Sequence, residues 1–104
     1  MKPVIDEPFL KLSTQRALLG AISSQILGIC IQLVKSNFVM TVYAQGNISE
    51  EQRDELSSAV ELIEADTYPE LTYGELILVE NAKSPLVTRG AWVFLQMGCT
   101  TKND

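Results

Sequence analysis

The chain has 104 residues, 46% of them hydrophobic and 20% charged, which suits one domain with a modest core and excludes a disordered or fibrous chain. Its net charge of −5 at pH 7 disfavours direct binding to nucleic acid, because phosphate contacts need a basic surface. The sequence holds no histidine, which excludes Ser-His-Asp and Cys-His catalysis and every histidine-ligated metal site.

Other signatures of catalysis and cofactor binding are missing as well. The glycines are isolated and form no phosphate-binding loop, and the acidic residues lack the spacing of a calcium-binding EF-hand. Paired carboxylates serve as acid and base only in a cleft that raises the pKa of one of them. We therefore expect a protein that is not an enzyme and holds no cofactor or metal ion.

The N-terminal stretch MKPVIDEPFLK carries charges and prolines where a signal peptide needs an apolar run. The two cysteines, Cys30 and Cys99, are too few for a disulfide scaffold, and no CxxC pair suggests zinc binding or thiol exchange. A single bridge between them stays open, but we expect two buried or reduced thiols. Both features favour a cytoplasmic protein.

The first long apolar segment, residues 17–34 (ALLGAISSQILGICIQLV), has no charge and fits either a membrane span or part of a water-soluble fold. As a helix it would extend about 27 Å, slightly less than the roughly 30 Å hydrocarbon core of a bilayer. However, Ser23, Ser24 and Gln25 lie together in its middle, where a bilayer penalises polar side chains. The residues before them favour a helix and those after them a buried strand, so we expect no contact with a membrane.

The remaining pattern predicts two helices and four strands. In chain order these are a helix near residues 12–22, strands near 25–34 and 38–45, a helix near 50–65, and strands near 71–80 and 90–97. Ser13 is the expected N-cap of the first helix, and residues 35–37 form the expected hairpin turn. We predict an α+β fold over residues 1–104, a single domain whose antiparallel sheet of about four strands carries two helices in the order αββαββ. Trp92 and Phe94 are expected to pack in the core or on the sheet.

The predicted helix near residues 50–65 carries most of the negative charge of the chain. Ser49 is its candidate N-cap, and Gln52 is expected to complete a capping box. Its buried stripe is predicted to consist of Leu56, Ala59, Val60 and Ile63. Seven carboxylates on other sides of the helix are the candidate partner-binding residues. They are Glu50, Asp54, Glu61 and Glu64, within an arc of roughly 80° opposite the stripe, and Glu51, Glu55 and Asp66 on one flank. Glu75 and Glu80 are weaker candidates.

This acidic helix has two interpretations, a solvated surface or a binding surface. Carboxylates near the helix N-terminus, such as Glu50, complement the helix dipole and thereby stabilise the helix. The dipole disfavours the three carboxylates toward the C-terminal end, and like charges four residues apart are unfavourable as well. Between residues 47 and 70 there are eight carboxylates and one basic residue, Arg53, whereas a face that serves only solubility interleaves lysines. Both interpretations stay open, and the partner of a binding face would be cationic.

Three segments carry a resemblance to a known group of proteins. They are ALLGAI at residues 17–22, VYAQG at residues 42–46 and ISEEQRDELSSAVELIEADTYP at residues 48–69. Together, over about residues 16–80, the chain resembles small α+β bacterial immunity proteins that are paired with the C-terminal toxin domains of contact-dependent growth-inhibition systems. The resemblance implies a cytoplasmic inhibitor that binds one cognate toxin, often a nuclease such as an RNase, and blocks its active site or substrate access. It supplies no motif of binding residues, so the candidates above rest on helix geometry.

Two further hypotheses belong to other classes of function. A small adaptor or regulatory subunit of an unrelated complex would use the same acidic face or an exposed sheet edge. A small-molecule-binding or catalytic domain would hold its carboxylates in a pocket. Deep burial of several helix carboxylates would favour that last hypothesis, and full exposure would argue against it.

Overall fold

In a computed structural model, which describes residues 6–103, the chain forms two helices and six strands. The helices are α1 (Glu7–Ala17) and α2 (Glu50–Thr67), and the strands are β1 (Ile26–Val34), β2 (Asn37–Ala44), β3 (Tyr73–Val79), β4 (Leu86–Val87), β5 (Ala91–Leu95) and β6 (Thr101–Lys102). Every predicted element except the first helix lies within a few residues of its expected place. Residues 1–5 and residue 104 lie outside the described part. Residues 1–5 begin the stretch MKPVIDEPFLK, which we do not expect to be a signal peptide.

Four strands form a mixed sheet in the order β3-β2-β1-β5. β1 pairs antiparallel with both β2 and β5, whereas β2 and β3 are parallel. The predicted α+β class is confirmed, but an antiparallel sheet is wrong for the β2–β3 pair. The reason is the connection, because α2 forms a crossover between these two strands and such crossovers join parallel neighbours. β4 and β6, which the sequence pattern did not predict, form a separate two-stranded parallel sheet.

Both helices cover one face of the sheet and enclose the main core. The strands present alternate side chains to this face, and in β2 these are the fully buried Phe38, Met40, Val42 and Ala44. The predicted stripe of α2 is confirmed, since its members Leu56, Ala59, Val60 and Ile63 are all buried in the same core. Burial of each large apolar side chain stabilises the fold by roughly 1.5–3 kcal/mol, so this stripe fixes which side of α2 faces solvent.

The opposite face of the sheet carries a smaller core beneath the C-terminal segment. Trp92 packs against Tyr43 with ring centroids 6.0 Å apart, and its Nε1 donates a hydrogen bond of 3.1 Å to Thr88 Oγ1. Phe94 packs against the main core instead. Both aromatic residues are therefore packing residues, as predicted.

The two cysteines both belong to this smaller core. Cys30 is buried, Cys99 is half-buried, and both thiols are free, as expected. Burial raises the pKa of the Cys30 thiol, and the backbone and charge of Arg89 oppose this effect only in part. Cys30 is thus an apolar core residue rather than a reactive thiol.

The first predicted helix is present, but its expected bounds of 12–22 and its expected N-cap Ser13 are wrong, because α1 runs from Glu7 to Ala17. Asp6 caps α1, because its carboxylate accepts a hydrogen bond of 3.0 Å from the N–H of Phe9. Pro8 lies in the first turn, where its missing N–H has no cost. Ser13 lies inside the helix and is buried.

The uncharged segment at residues 17–34 contains the end of α1, a turn and β1. Gly20 lies in that turn with a φ of +84°, a conformation that favours glycine. Among the residues that the structure describes, no helix is both long and apolar enough to span a bilayer. The segment instead supplies the strand between β2 and β5, which agrees with its predicted burial.

Candidate protein-binding surface

The start of α2 is fixed by its cap and by one buried side chain. Ser49 Oγ accepts a hydrogen bond of 3.1 Å from the N–H of Gln52, which confirms the predicted N-cap. A capping box would direct the Gln52 side chain back toward residue 49, and this part of the prediction is wrong. Gln52 Nε2 instead donates a buried hydrogen bond of 2.6 Å to the carbonyl of Ala21, which ties α2 to the turn after α1.

Six of the seven predicted carboxylates are exposed along α2. They are Glu50, Glu51, Asp54, Glu55, Glu61 and Asp66. Their exposure follows from the helical period, because the apolar stripe takes up the side of the helix that faces the sheet. No member of the set of seven is deeply buried, so the arrangement lacks the pocket of carboxylates that the catalytic hypothesis requires.

Glu64 is the half-buried member of the set and lies beside β3. Its Oε2 accepts a hydrogen bond of 2.9 Å from the N–H of Gly74. β3 is also closely packed against β2 here, since a Cβ on Gly74 would overlap the ring of Phe38. Glu64 therefore helps to hold β3 against α2, in addition to any contact with a partner.

The two weaker candidates occupy different places in the fold. Glu80 Oε1 lies 3.5 Å from Arg53 Nη2, and Glu80 Oε2 accepts a hydrogen bond of 2.9 Å from the N–H of Ile48. Glu80 thus supports the approach to α2 and partly neutralises Arg53. Glu75 is exposed on β3, and the alternation of the strand places it on the sheet face opposite α2.

Two exposed leucines adjoin the acidic residues of α2. Leu62 is 59% exposed and Leu19, in the turn after α1, is 82% exposed. Both line one groove, which we call the Leu19–Leu62 groove. Its lining consists of Ala17, Leu19, Gly20, Ala21, Glu51, Asp54, Glu55, Ser58, Ala59 and Leu62. The sequence did contain a signal for Leu62, because it lies about 100° around the helix from the stripe residue Ile63, among acidic neighbours.

Residues 6–103 contain no group of three Cys, Asp or Glu side chains close enough together to hold a metal ion. The features that the described surface offers near α2 are therefore negative charge and exposed apolar area. Such a surface binds other molecules through complementary charge and apolar contact.

The comparison with known families gives this surface its context. The chain matches the family model of the MafI2 immunity protein over residues 8–97. The match places it in the class of immunity proteins of bacterial toxin systems. Within that class, the chain belongs to the MafI2 immunity protein family. No curated protein matches the chain.

The resemblance to immunity proteins is thereby confirmed, although the family is one of Maf systems and not specifically of contact-dependent growth inhibition. The match also extends past residue 80, where the resemblance ended, and includes β5. Family membership implies an immunity protein that binds and neutralises a cognate toxin.

Proposed function

We propose that this immunity protein acts in the cytoplasm, where it binds one copy of a cationic toxin domain and blocks its active site or its access to substrate. The toxin is a nuclease that cleaves RNA. The contact is made by the acidic face, which consists of Glu50, Asp54, Glu61 and Glu64 with Glu51, Glu55 and Asp66 on its flank. A nuclease must present lysines and arginines to phosphate, so carboxylates on the inhibitor occupy the place of the phosphates.

The observation that carries this proposal is the exposure of so many carboxylates on one helix. Arg53 is the one basic residue of α2, and Glu80 from the same chain already lies 3.5 Å from it. No basic residue occupies the last turn, where positive charge would complement the helix dipole. Glu61 and Asp66, toward the C-terminal end of α2, therefore cost the free protein stability, and a cationic partner offsets that cost.

Electrostatic complementarity also suits the task of an immunity protein. Opposed charges steer two proteins together and raise the association rate, which matters when a toxin must be caught before it cleaves its substrate. Once close contact is made, charge pairs in such interfaces couple by about 1.5–7 kcal/mol. Exposed positions such as Asp54 and Glu61 are the strongest candidates for these pairs. Glu64 contributes through a carboxylate that also binds Gly74.

Co-expression with the toxin tests the proposal. We expect the toxin gene immediately upstream of the gene for this chain, and its C-terminal domain should lose its toxicity and copurify one-to-one with this protein. The purified toxin domain should cleave RNA, and added immunity protein should stop the cleavage. A chain that neither rescues cells nor copurifies with the toxin domain contradicts the proposal.

Paired variants test the acidic face in the same assay. The double substitution Asp54→Lys and Glu61→Lys should weaken rescue. Glu75→Lys introduces the same kind of charge change at an exposed position on the other face of the protein and should rescue like the original chain. Equal rescue by the double variant and by Glu75→Lys would remove the acidic face from the toxin contact.

A further inference from the structure

We infer that the Leu19–Leu62 groove receives a cationic segment of the toxin, whose lysine or arginine stems pack on the two leucines. The charged ends of those side chains pair with the carboxylates along the groove, Glu51, Asp54 and Glu55. This inference rests on the proposed function and adds to it an apolar anchor beside the acidic face.

The exposure of the two leucines is the first argument. A leucine left in water forgoes the stabilisation that burial would give, and scattered single cases are common on protein surfaces. Here two large leucine side chains, 82% and 59% exposed, line the same groove as three acidic residues of α2. Contiguous exposed apolar area of this kind marks interaction sites.

The backbone at Leu19 is held in place by its neighbours. Leu18 is 2% exposed and Ala21 is 8% exposed, so buried residues flank Leu19 in the turn. The N–H of Ala21 donates a hydrogen bond of 2.9 Å to the carbonyl of Leu18, and Gln52 Nε2 binds the carbonyl of Ala21. The backbone that carries Leu19 is therefore already ordered, and it loses little conformational entropy when a partner covers the exposed side chain.

Charge complementarity selects the kind of partner. Three carboxylates line the groove, and its lining contains no lysine or arginine. A second copy of this chain would bring carboxylates against carboxylates, and a purely apolar segment would remove them from water without a partner charge. Lysine and arginine combine an apolar stem with a charged tip, so they satisfy the leucines and the carboxylates together. The adjoining groove beyond Leu62 already contains Arg16 together with Asp66, so the purely acidic part ends there.

Affinity measurements with alanine variants test the inference. The probe is the purified C-terminal domain of the toxin encoded upstream, titrated by calorimetry into this protein and into Leu19→Ala, Leu62→Ala and the double variant. The double variant should raise Kd by about 30-fold or more, as loss of a buried hot spot does. Ile77→Ala is the matched control, since Ile77 is 42% exposed but lies on the opposite sheet face, and it should change Kd by less than about 2-fold.

Salt separates the apolar anchor from the acidic face. Leu62→Ala should raise Kd by the same factor at about 0.1 M and at about 1 M salt. Asp54→Ala should raise Kd by a smaller factor at high salt than at low salt, because salt screens charges. Urea unfolding should show that the alanine variants fold, since both leucines are exposed. If the original chain binds the toxin domain and the double leucine variant binds equally well, the groove is refuted while the proposed function stands. If the original chain neither binds nor rescues, both fail, and a loss at Ile77→Ala equal to that of the double variant also refutes the groove.

Discussion

Replacement of Gln52 by alanine tests the tie between α2 and the turn that presents Leu19. Gln52 is 8% exposed, and its Nε2 donates a hydrogen bond of 2.6 Å to the carbonyl of Ala21, which is itself 8% exposed. The variant Gln52→Ala removes the donor and leaves that carbonyl in a place that water hardly reaches. It also leaves a space where the rest of the side chain had packed.

The expected loss follows from this geometry. A buried acceptor that loses its hydrogen-bond partner costs about 1–3 kcal/mol, and we expect a decrease of about 2 kcal/mol in the free energy of unfolding. For a protein of this size, each kcal/mol shifts Tm by roughly 4–8 °C, which gives a decrease of roughly 8–16 °C. The original Ser49 cap remains, so α2 itself should still form.

Urea unfolding followed by circular dichroism measures this loss. Gln15→Ala is the matched control, because Gln15 is an exposed glutamine on α1, and it should change the free energy of unfolding by less than about 0.5 kcal/mol. A change at Gln52→Ala no larger than that of the control would refute the reasoning, since the side chain would then contribute nothing that water does not replace.

Three further predictions concern packing and the cysteines. Gly74→Ala should destabilise the fold by about 1–3 kcal/mol in urea unfolding, because the added Cβ overlaps a core phenylalanine ring, and unchanged stability would argue against close packing of β3. Ile63→Ala should lower the free energy of unfolding by about 2–5 kcal/mol and Leu62→Ala by less than about 0.5 kcal/mol, since only Ile63 is buried. Equal losses would contradict the way in which α2 is rotated about its axis in the structure. A thiol reagent should label Cys99 before Cys30 in the native protein, because burial shields Cys30 and raises the pKa of its thiol. Little Cys30 thiolate therefore forms at neutral pH, and labelling of Cys30 should increase as pH rises. Equal labelling rates for the two cysteines would contradict this.

Helical periodicity made α2 predictable from the sequence. Apolar residues recur at Leu56, Ala59, Val60 and Ile63, and a single side of the helix must therefore face the core. Ser49 marked its start for a local reason, because an N-cap needs only the N–H groups of the next turn. The exposure of the carboxylates followed from the same period.

The parts of the fold that the sequence pattern did not predict depend on which of several residues caps a helix or on contacts between residues far apart in the chain. The start of α1 was misplaced because Ser13 is also a residue type that caps helices, whereas Asp6 is the actual cap and Pro8 suits the first turn behind it. The parallel pairing of β2 and β3 depends on which edge of the sheet accepts the returning chain, and no short pattern encodes that choice. β4 and β6 are only two residues long each, too short to show an alternating pattern.

The candidate protein-binding surface could be predicted only for the residues whose exposure follows from the period of α2 alone. Glu64 accepts a hydrogen bond from Gly74, 10 positions away, and Glu80 accepts one from Ile48, 32 positions away. The sequence alone could therefore not distinguish these two carboxylates from the exposed ones. The Leu19–Leu62 groove likewise needs the packing of α1 against α2.

The rate at which the upstream toxin domain associates with this protein tests whether the acidic face of α2 captures the toxin. It can be measured by stopped flow over a range of salt concentrations. We expect fast association that slows steeply as salt rises, because exposed charges are screened within about 10 Å at 0.1 M salt. At low salt, the Asp54→Lys and Glu61→Lys double variant should associate at least about 10-fold more slowly with a flatter salt dependence, while Glu75→Lys should behave like the original chain. Equal rates and equal salt dependence for the double variant and the original chain would contradict the claim that the acidic face of α2 captures the toxin.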